Sequence, residues 1–194
     1  VAMKEKILPS PLNVRDWTPL RCIILGHVNP SKNPLFAIKG IAQLVVEQGL
    51  KIQLTLVGGS DQDYLDKIKS DPSYQTIASS ITLIPFSDTP LDYLNKVHLL
   101  IVPSLNEASP RVIVEAMRCA KPVLTNNSGG ADELVLESDC GLVYHADNLV
   151  SFKEQLSDIY HNPEKMIRKA KNGFDWTETH LTKTSYLNQF KEVL

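Results

Sequence analysis

From Arg21 onward, short β-rich runs alternate with stretches of helical periodicity, and most of the runs stop at glycine or proline. Residues 22–25 (Cys-Ile-Ile-Leu) close on Gly26, residues 52–57 on Gly58-Gly59, and residues 81–84 on Pro85-Phe86. Residues 99–102 close on Pro103-Ser104, residues 122–124 lead into Thr125-Asn126, and residues 141–144 form the last run. Between them, residues 34–48 place Leu35, Ile38, Ile41, Ala42, Leu44 and Val45 at helical spacing, with Gly49 as the expected C-cap. Shorter helices are expected over 64–68, 91–97 and 112–120, and helical patterns fill most of the chain after residue 144, with breaks near Asn162-Pro163 and Gly173. Apolar strands alternating with helices specify an α/β fold, a parallel sheet with helices on both faces. In such sheets ligands bind at the carboxyl ends of the strands. The site is therefore expected at the strand ends Gly26-His27, Gly58-Gly59, Pro85-Phe86, Pro103-Ser104 and Thr125-Asn126.

The length of 194 residues suits one domain with an appendage. Residues 1–20, which carry Pro9, Pro11 and Pro19 before any periodic pattern, are expected to be a linker or extension. Residues 21–177 are expected to be the ligand-binding domain. Residues 178–194, with Leu181, Tyr186, Leu187 and Phe190 on one helical face, are expected to pack toward another domain. Because the first residue is Val1 rather than Met, the chain is expected to be a piece of a longer protein, a processed terminus being the alternative.

Twenty Lys and Arg against 22 Asp and Glu give a net charge of −2, which lacks the basic footprint of a nucleic-acid binder. No apolar run approaches the ~18 residues of a membrane span. Cys22, Cys119 and Cys140 are odd in number and widely spaced, which excludes a disulfide framework and fits a cytoplasmic protein. The cluster Lys165, Arg168, Lys169 and Lys171 reads as a solvated helix face that is also a candidate for peripheral contact with an anionic membrane. Asp61-Gln62-Asp63 reads as helix capping rather than a metal site, and the sequon Asn126-Asn127-Ser128 as incidental.

The most informative stretch is residues 103–117. Ser109-Pro110 reads as a helix start, Ser at the N-cap and Pro at the first helical position, so that the Arg111 and Val112 amides point out of the helix end toward an anion. Glu107 and Glu115 have seven residues between them, one in the loop and one on the helix, and carboxylates suit vicinal hydroxyls.

Pro103-Ser104, the Glu107/Glu115 pair, Glu115-Ala116-Met117, Pro122-Val123, Gly129-Gly130 and Glu133 occur in the order that marks the donor-binding half of family 4 (group 1) retaining glycosyltransferases. Gly26 and Lys32, Val57-Gly58 and Phe174-Asp175-Trp176 extend the likeness over about 21–194. The chain thus resembles the Rossmann-like C-terminal half of a two-domain GT-B enzyme. The resemblance implies that Glu115 holds the nucleotide ribose and that Glu107, as the catalytic residue, contacts the transferred sugar. It also implies that Lys32, with the Arg111 and Val112 amides, neutralises the departing diphosphate, beside Gly26 and His27. Phe86 would lie near the base, and Gly129 and Gly130 would bring backbone amides close to sugar or phosphate. Its partners would be a nucleotide-diphosphate sugar, an acceptor sugar or lipid-linked glycan, and an N-terminal acceptor domain not in this chain. No metal or other cofactor is implied. The sequence departs from the family pattern at three places: His27 stands where an Arg is usual, Ala108 where a Gly is usual, and Pro110 where a second Gly is usual. Three alternatives stay open: a nucleotide-sugar 2-epimerase of the same fold, a non-catalytic donor-binding module, and an inert domain that kept the fold.

Overall fold

The computed structural model describes residues 11–105 and 111–181. Six strands form one sheet: β1 (Leu20–Leu25), β2 (Ile52–Val57), β3 (Ile81–Ile84), β4 (Leu99–Val102), β5 (Val123–Asn126) and β6 (Gly141–Tyr144). Their order is β3-β2-β1-β4-β5-β6 and all neighbours are parallel. The order reverses direction between β1 and β4, which opens a crevice above their carboxyl ends.

The helices are α1 (Pro34–Gln48), α2 (Gln62–Ser70), α3 (Pro72–Ile77), α4 (Pro90–Leu94), α5 (Arg111–Arg118), α6 (Ala131–Glu137), α7 (Leu149–His161) and α8 (Pro163–His180). Local chemistry sets several ends. Pro34 opens α1, and left-handed Gly49 closes it with an N–H to Val45 O. The Asp71 side chain accepts from Ser73 N ahead of Pro72, starting α3, a helix that the periodicity had not shown. Asp61 does stand at the N-cap of α2, but its side chain makes no capping hydrogen bond.

One face of the sheet buries Cys22, Ile24, Leu54 and Leu56 against Ile38, Ile41 and Leu44 of α1 and Phe152 and Leu156 of α7. The other buries Ile23, Leu100, Val102 and Val123 against Ile113 and Met117 of α5 and Val135 of α6. All three cysteines are buried and free. On the second face the helical cover thins over β2 and β3, where Gln53 and Thr82 are exposed. The five-residue α4 is too short to span that edge.

Three expectations need correction. Gly173 does not break a helix: α8 runs through it, because a Cβ there would lie 2.6 Å from Cys140 Cβ, and its absence lets α8 pack closely. The 177/178 division falls inside α8, and residues 182–194 lie outside the described residues. At the other end β1 starts at Leu20, and Trp17 is buried with Nε1 donating to Ile159 O at 3.2 Å. Residues counted in the 1–20 extension therefore contribute to this core.

Candidate functional site

The site begins where β1 and β2 end. Gly26 has φ +133° and Gly58 φ +150°, both in the region that favours glycine. A Cβ on Gly58 would fall 2.1 Å from Gly26 O, so the two tips can touch only without a side chain there. Pairing continues past them: Gly26 N donates to Val57 O, Gly58 N to Ile84 O and Val28 N to Gly59 O. The His27 ring lies against Gly59, where a Cβ would come 3.1 Å from Nδ1. The Asn29 side chain then accepts from Lys32 N and winds residues 30–32 into a 3₁₀ turn. This turn lays the Lys32 stem over Gly26, 3.7 Å from the position a Cβ would take.

These tips, the segment after β3 and the first turns of α5 enclose a cleft of about 560 Å³, within the size range of small-molecule sites. Gly26, His27, Lys32, Phe86, Arg111, Val112 and Glu115 all line it, although they are far apart in sequence. Phe86 stands at the rim, 75% exposed. Glu115, half-buried, has its carboxyl pushed above the ordinary carboxylate range by burial, with Arg111 one turn earlier on α5 acting in the opposite sense. The cleft therefore sets cationic side chains beside one desolvated acid (an arrangement suited to a ligand with an anionic part and a hydroxyl-bearing part).

Other expected residues lie elsewhere. Gly129 and Gly130 have φ of +86° and +87° and form the turn between β5 and α6, but do not line this cleft. A Cβ on Gly130 would meet nothing within 4 Å, so conformation, not close approach, requires that glycine. Glu107, with Ala108 and the expected Ser109-Pro110 helix start, lies outside the described residues. The strand-end expectation included Gly58-Gly59, and both line the cleft; Ser87 and Pro90, which no expectation included, line it too. The glycine pair was a signal available in the sequence; Ser87 and Pro90 left none.

Outside the cleft, Lys165 pairs with Asp158 at 2.6 Å, and Lys169 and Lys171 pair with Asp139 and Asp175. Most of the basic cluster on α8 is thus neutralised within the fold. No helix among the described residues is long and apolar enough to cross a membrane, and none of the described His, Cys, Asp and Glu gather in threes as a metal centre would need. Asn126 of the sequon is buried.

The family model for "Glycosyl transferases group 1" matches residues 13–176. D-inositol 3-phosphate glycosyltransferase of Rhodococcus opacus is 26% identical over 168 residues, 80% of this chain and 37% of that protein. Alpha-1,3/1,6-mannosyltransferase alg-2 of Neurospora crassa is 23% identical over 211 residues, 94% of this chain and 45% of that one. Among solved structures, Anabaena HepE in complex with UDP superposes with a TM-score of 0.77 at 22% identity, covering 90% of this chain and 48% of HepE. Sucrose-phosphate synthase from Thermosynechococcus elongatus gives 0.76 at 22% identity, covering 90% and 44%. The chain spans less than half the length of each of these proteins. The parallel sheet, its switch point and the match over residues 13–176 agree, and this chain belongs to the group 1 glycosyltransferase family.

Proposed function

We propose that this chain is the donor-binding half of a retaining glycosyltransferase, which holds a nucleotide-diphosphate sugar for transfer to an acceptor hydroxyl. One observation carries the reading: the cleft at the switch point combines Lys32, His27 and Arg111 with the desolvated carboxylate of Glu115. Glu115 accepts the two ribose hydroxyls. Lys32 and the Arg111 and Val112 amides receive the diphosphate, and their preorganised charge stabilises it as a leaving group. Phe86 offers a ring face to the base. Glu107 contacts the transferred sugar, as the Glu-x7-Glu resemblance implies. The Gly129-Gly130 turn serves the sugar side rather than the nucleotide cleft. As the glycosyl bond breaks, positive charge develops at the anomeric carbon while the acceptor oxygen attacks.

The acceptor, a sugar or lipid-linked glycan, would be held by a further domain, in keeping with relatives more than twice as long as the matched region. A cytoplasmic location belongs to the same reading.

The test is transfer by this chain joined to an acceptor-binding half, with the product's anomeric configuration read by NMR. Retention is expected, and inversion would overturn the mechanism. Glu107→Gln should depress transfer far more than nucleotide affinity; equal losses would make Glu107 a binding residue only.

A further inference from the structure

The end of β5 carries a buried amide whose hydrogen-bonding capacity is fully used. Asn126 Nδ2 donates to Ser104 O at 2.9 Å and reaches Tyr144 Oη at 3.4 Å. Its Oδ1 accepts from Ser128 N at 2.9 Å and lies against the Ser128 hydroxyl. That hydroxyl also stands 3.3 Å from Ser104 O. An amide has two donors and one acceptor oxygen, and here every one has a partner, so a flipped side chain would set donor against donor. The Tyr144 end is itself immobilised, since its ring stacks on Phe36 and packs edge-on to Phe152.

The two backbone segments that Asn126 joins lead to different parts of the site. Ser104 follows β4, and the N–H of the same peptide group, Leu105 N, donates to Ser31 O at 2.9 Å, inside the turn that carries Lys32. Ser128 opens the Gly129-Gly130 turn. A continuous chain of hydrogen bonds therefore runs from the Lys32 turn through Ser104 and Asn126 to the turn after β5. The cleft lies between the β1, β2 and β3 tips and α5, and no described residue of the β4 or β5 tips lines it, so those tips are what remains for the group beyond the diphosphate.

We propose that Asn126 is a positioning residue for the transferred sugar: it fixes the Ser128–Gly130 turn against the Ser104 peptide while leaving the nucleotide cleft to other residues. This rests on the donor-binding reading above. Without the amide, the Ser104 carbonyl and the Ser128 N–H lose their shared partner, and the turn is free to move relative to β4. The side chain makes no hydrogen bond to a lining residue of the cleft, and the Lys32 turn keeps its own bond from Lys32 N to Asn29 Oδ1, so binding of the nucleotide part should depend on it far less than binding of the sugar.

The experiment is isothermal calorimetry on the unsubstituted chain, Asn126→Ala and Ser128→Ala. The probes are UDP, GDP and ADP, each paired with UDP-glucose, GDP-mannose or ADP-glucose. Asn126→Ala is expected to weaken the nucleotide sugar by about tenfold, as loss of a buried hydrogen-bonding partner would, and the nucleoside diphosphate by less than about twofold. Ser128→Ala should shift the same ratio in the same direction by a smaller factor. It carries the test by itself if Asn126→Ala does not fold. A merely structural Asn126 would lower the melting temperature and weaken both ligands alike. Equal losses, or none, overturn the proposal and leave the donor site standing. Absence of binding of every probe to the unsubstituted chain overturns the donor reading and the proposal together.

Discussion

At the amino ends of the strands, far from the cleft, His98 makes stability depend on pH in a way the structure quantifies. The ring is 2% exposed and stacks on Trp17 with centroids 5.0 Å apart. Nδ1 accepts from Arg21 N at 3.1 Å, and Nε2 stands 2.6 Å from Arg21 Nη2 and 3.7 Å from an Asp16 carboxylate oxygen, so Arg21 donors face both ring nitrogens. A doubly protonated ring would set an N–H against an Arg21 donor at each nitrogen, and it would add charge beside the guanidinium. Burial, then Arg21, push the imidazole down from 6.5 to about 4, and Asp16 only partly opposes them. The sign follows from the direction of the shift. Above pH 6.5 both folded and unfolded chains carry a neutral ring, and the stability is intact. As pH falls from 6.5 toward 4 the unfolded chain takes up a proton that the folded chain refuses, so stability is lost. At about 1.4 kcal/mol per pKa unit the loss approaches ~3 kcal/mol, a sizeable share of the ~5–15 kcal/mol of an ordinary domain. Urea unfolding at pH 7.5, 6.5, 5.5 and 4.5 measures it, with His98→Asn as the non-titrating reference whose Oδ1 can still accept from Arg21 N. The variant should start less stable and converge on the wild type as pH falls. Parallel pH profiles would refute the reasoning, because carboxylates common to both proteins cancel in the difference.

Three further outcomes are expected. Lys121 is 1% exposed and its ammonium is pushed down to about 8 by burial, so Lys121→Met should stabilise the fold at pH 7 by about 1–3 kcal/mol. That gain should shrink between pH 8 and 10.5, where the folded chain has already released the proton that the unfolded chain keeps; a pH-independent loss in urea melts would contradict this. Gly58→Ala should cost more than about 2 kcal/mol, since its Cβ would strike Gly26 O, whereas Gly49→Ala, left-handed but open, should cost about 1 kcal/mol; equal costs in the same melts would remove the close approach as the reason for Gly58. Nucleotide affinity should fall on acidification at a higher pH than an exposed carboxylate would give, because burial raises Glu115; titrations over pH 4–7 that track an ordinary exposed carboxylate would exclude it.

The strands were legible because their signals are local: six apolar runs, each closed by a breaker or a polar turn, became six parallel strands in the expected regions. The Ile52-Gln53-Leu54-Thr55 alternation in β2 also held a sign of the thin cover on one face, since only a half-exposed strand tolerates it. Gly173 misled because glycine in a helix interior usually weakens the helix, whereas here Cys140 and Met117 from other elements demand its smallness. The same limit hid the Gly26/Gly58 contact and the partnership of His98 with Arg21, 77 residues apart. Asn126 was legible as a strand-end position and a sequon but not by its hydrogen bonds, because its partners Ser104 and Tyr144 come from neighbouring strand ends. The cleft-lining residues carried over from the glycosyltransferase resemblance came together in one place, while the Gly129-Gly130 turn stood apart from it. Local spacing can propose a set of residues; only the strand order tells which of them share a wall.

The central claim is that the cleft binds the nucleotide of a nucleotide sugar through Glu115 and the Lys32 side. Calorimetric titration of UDP, GDP and ADP and their sugar conjugates into the chain, with Glu115→Gln alongside, tests it most directly. Selective binding of one nucleotide, weakened in the variant by about 1–3 kcal/mol, is the expected result. Binding with unchanged affinity in Glu115→Gln would contradict the ribose role, and no binding of any nucleotide would contradict the donor site itself.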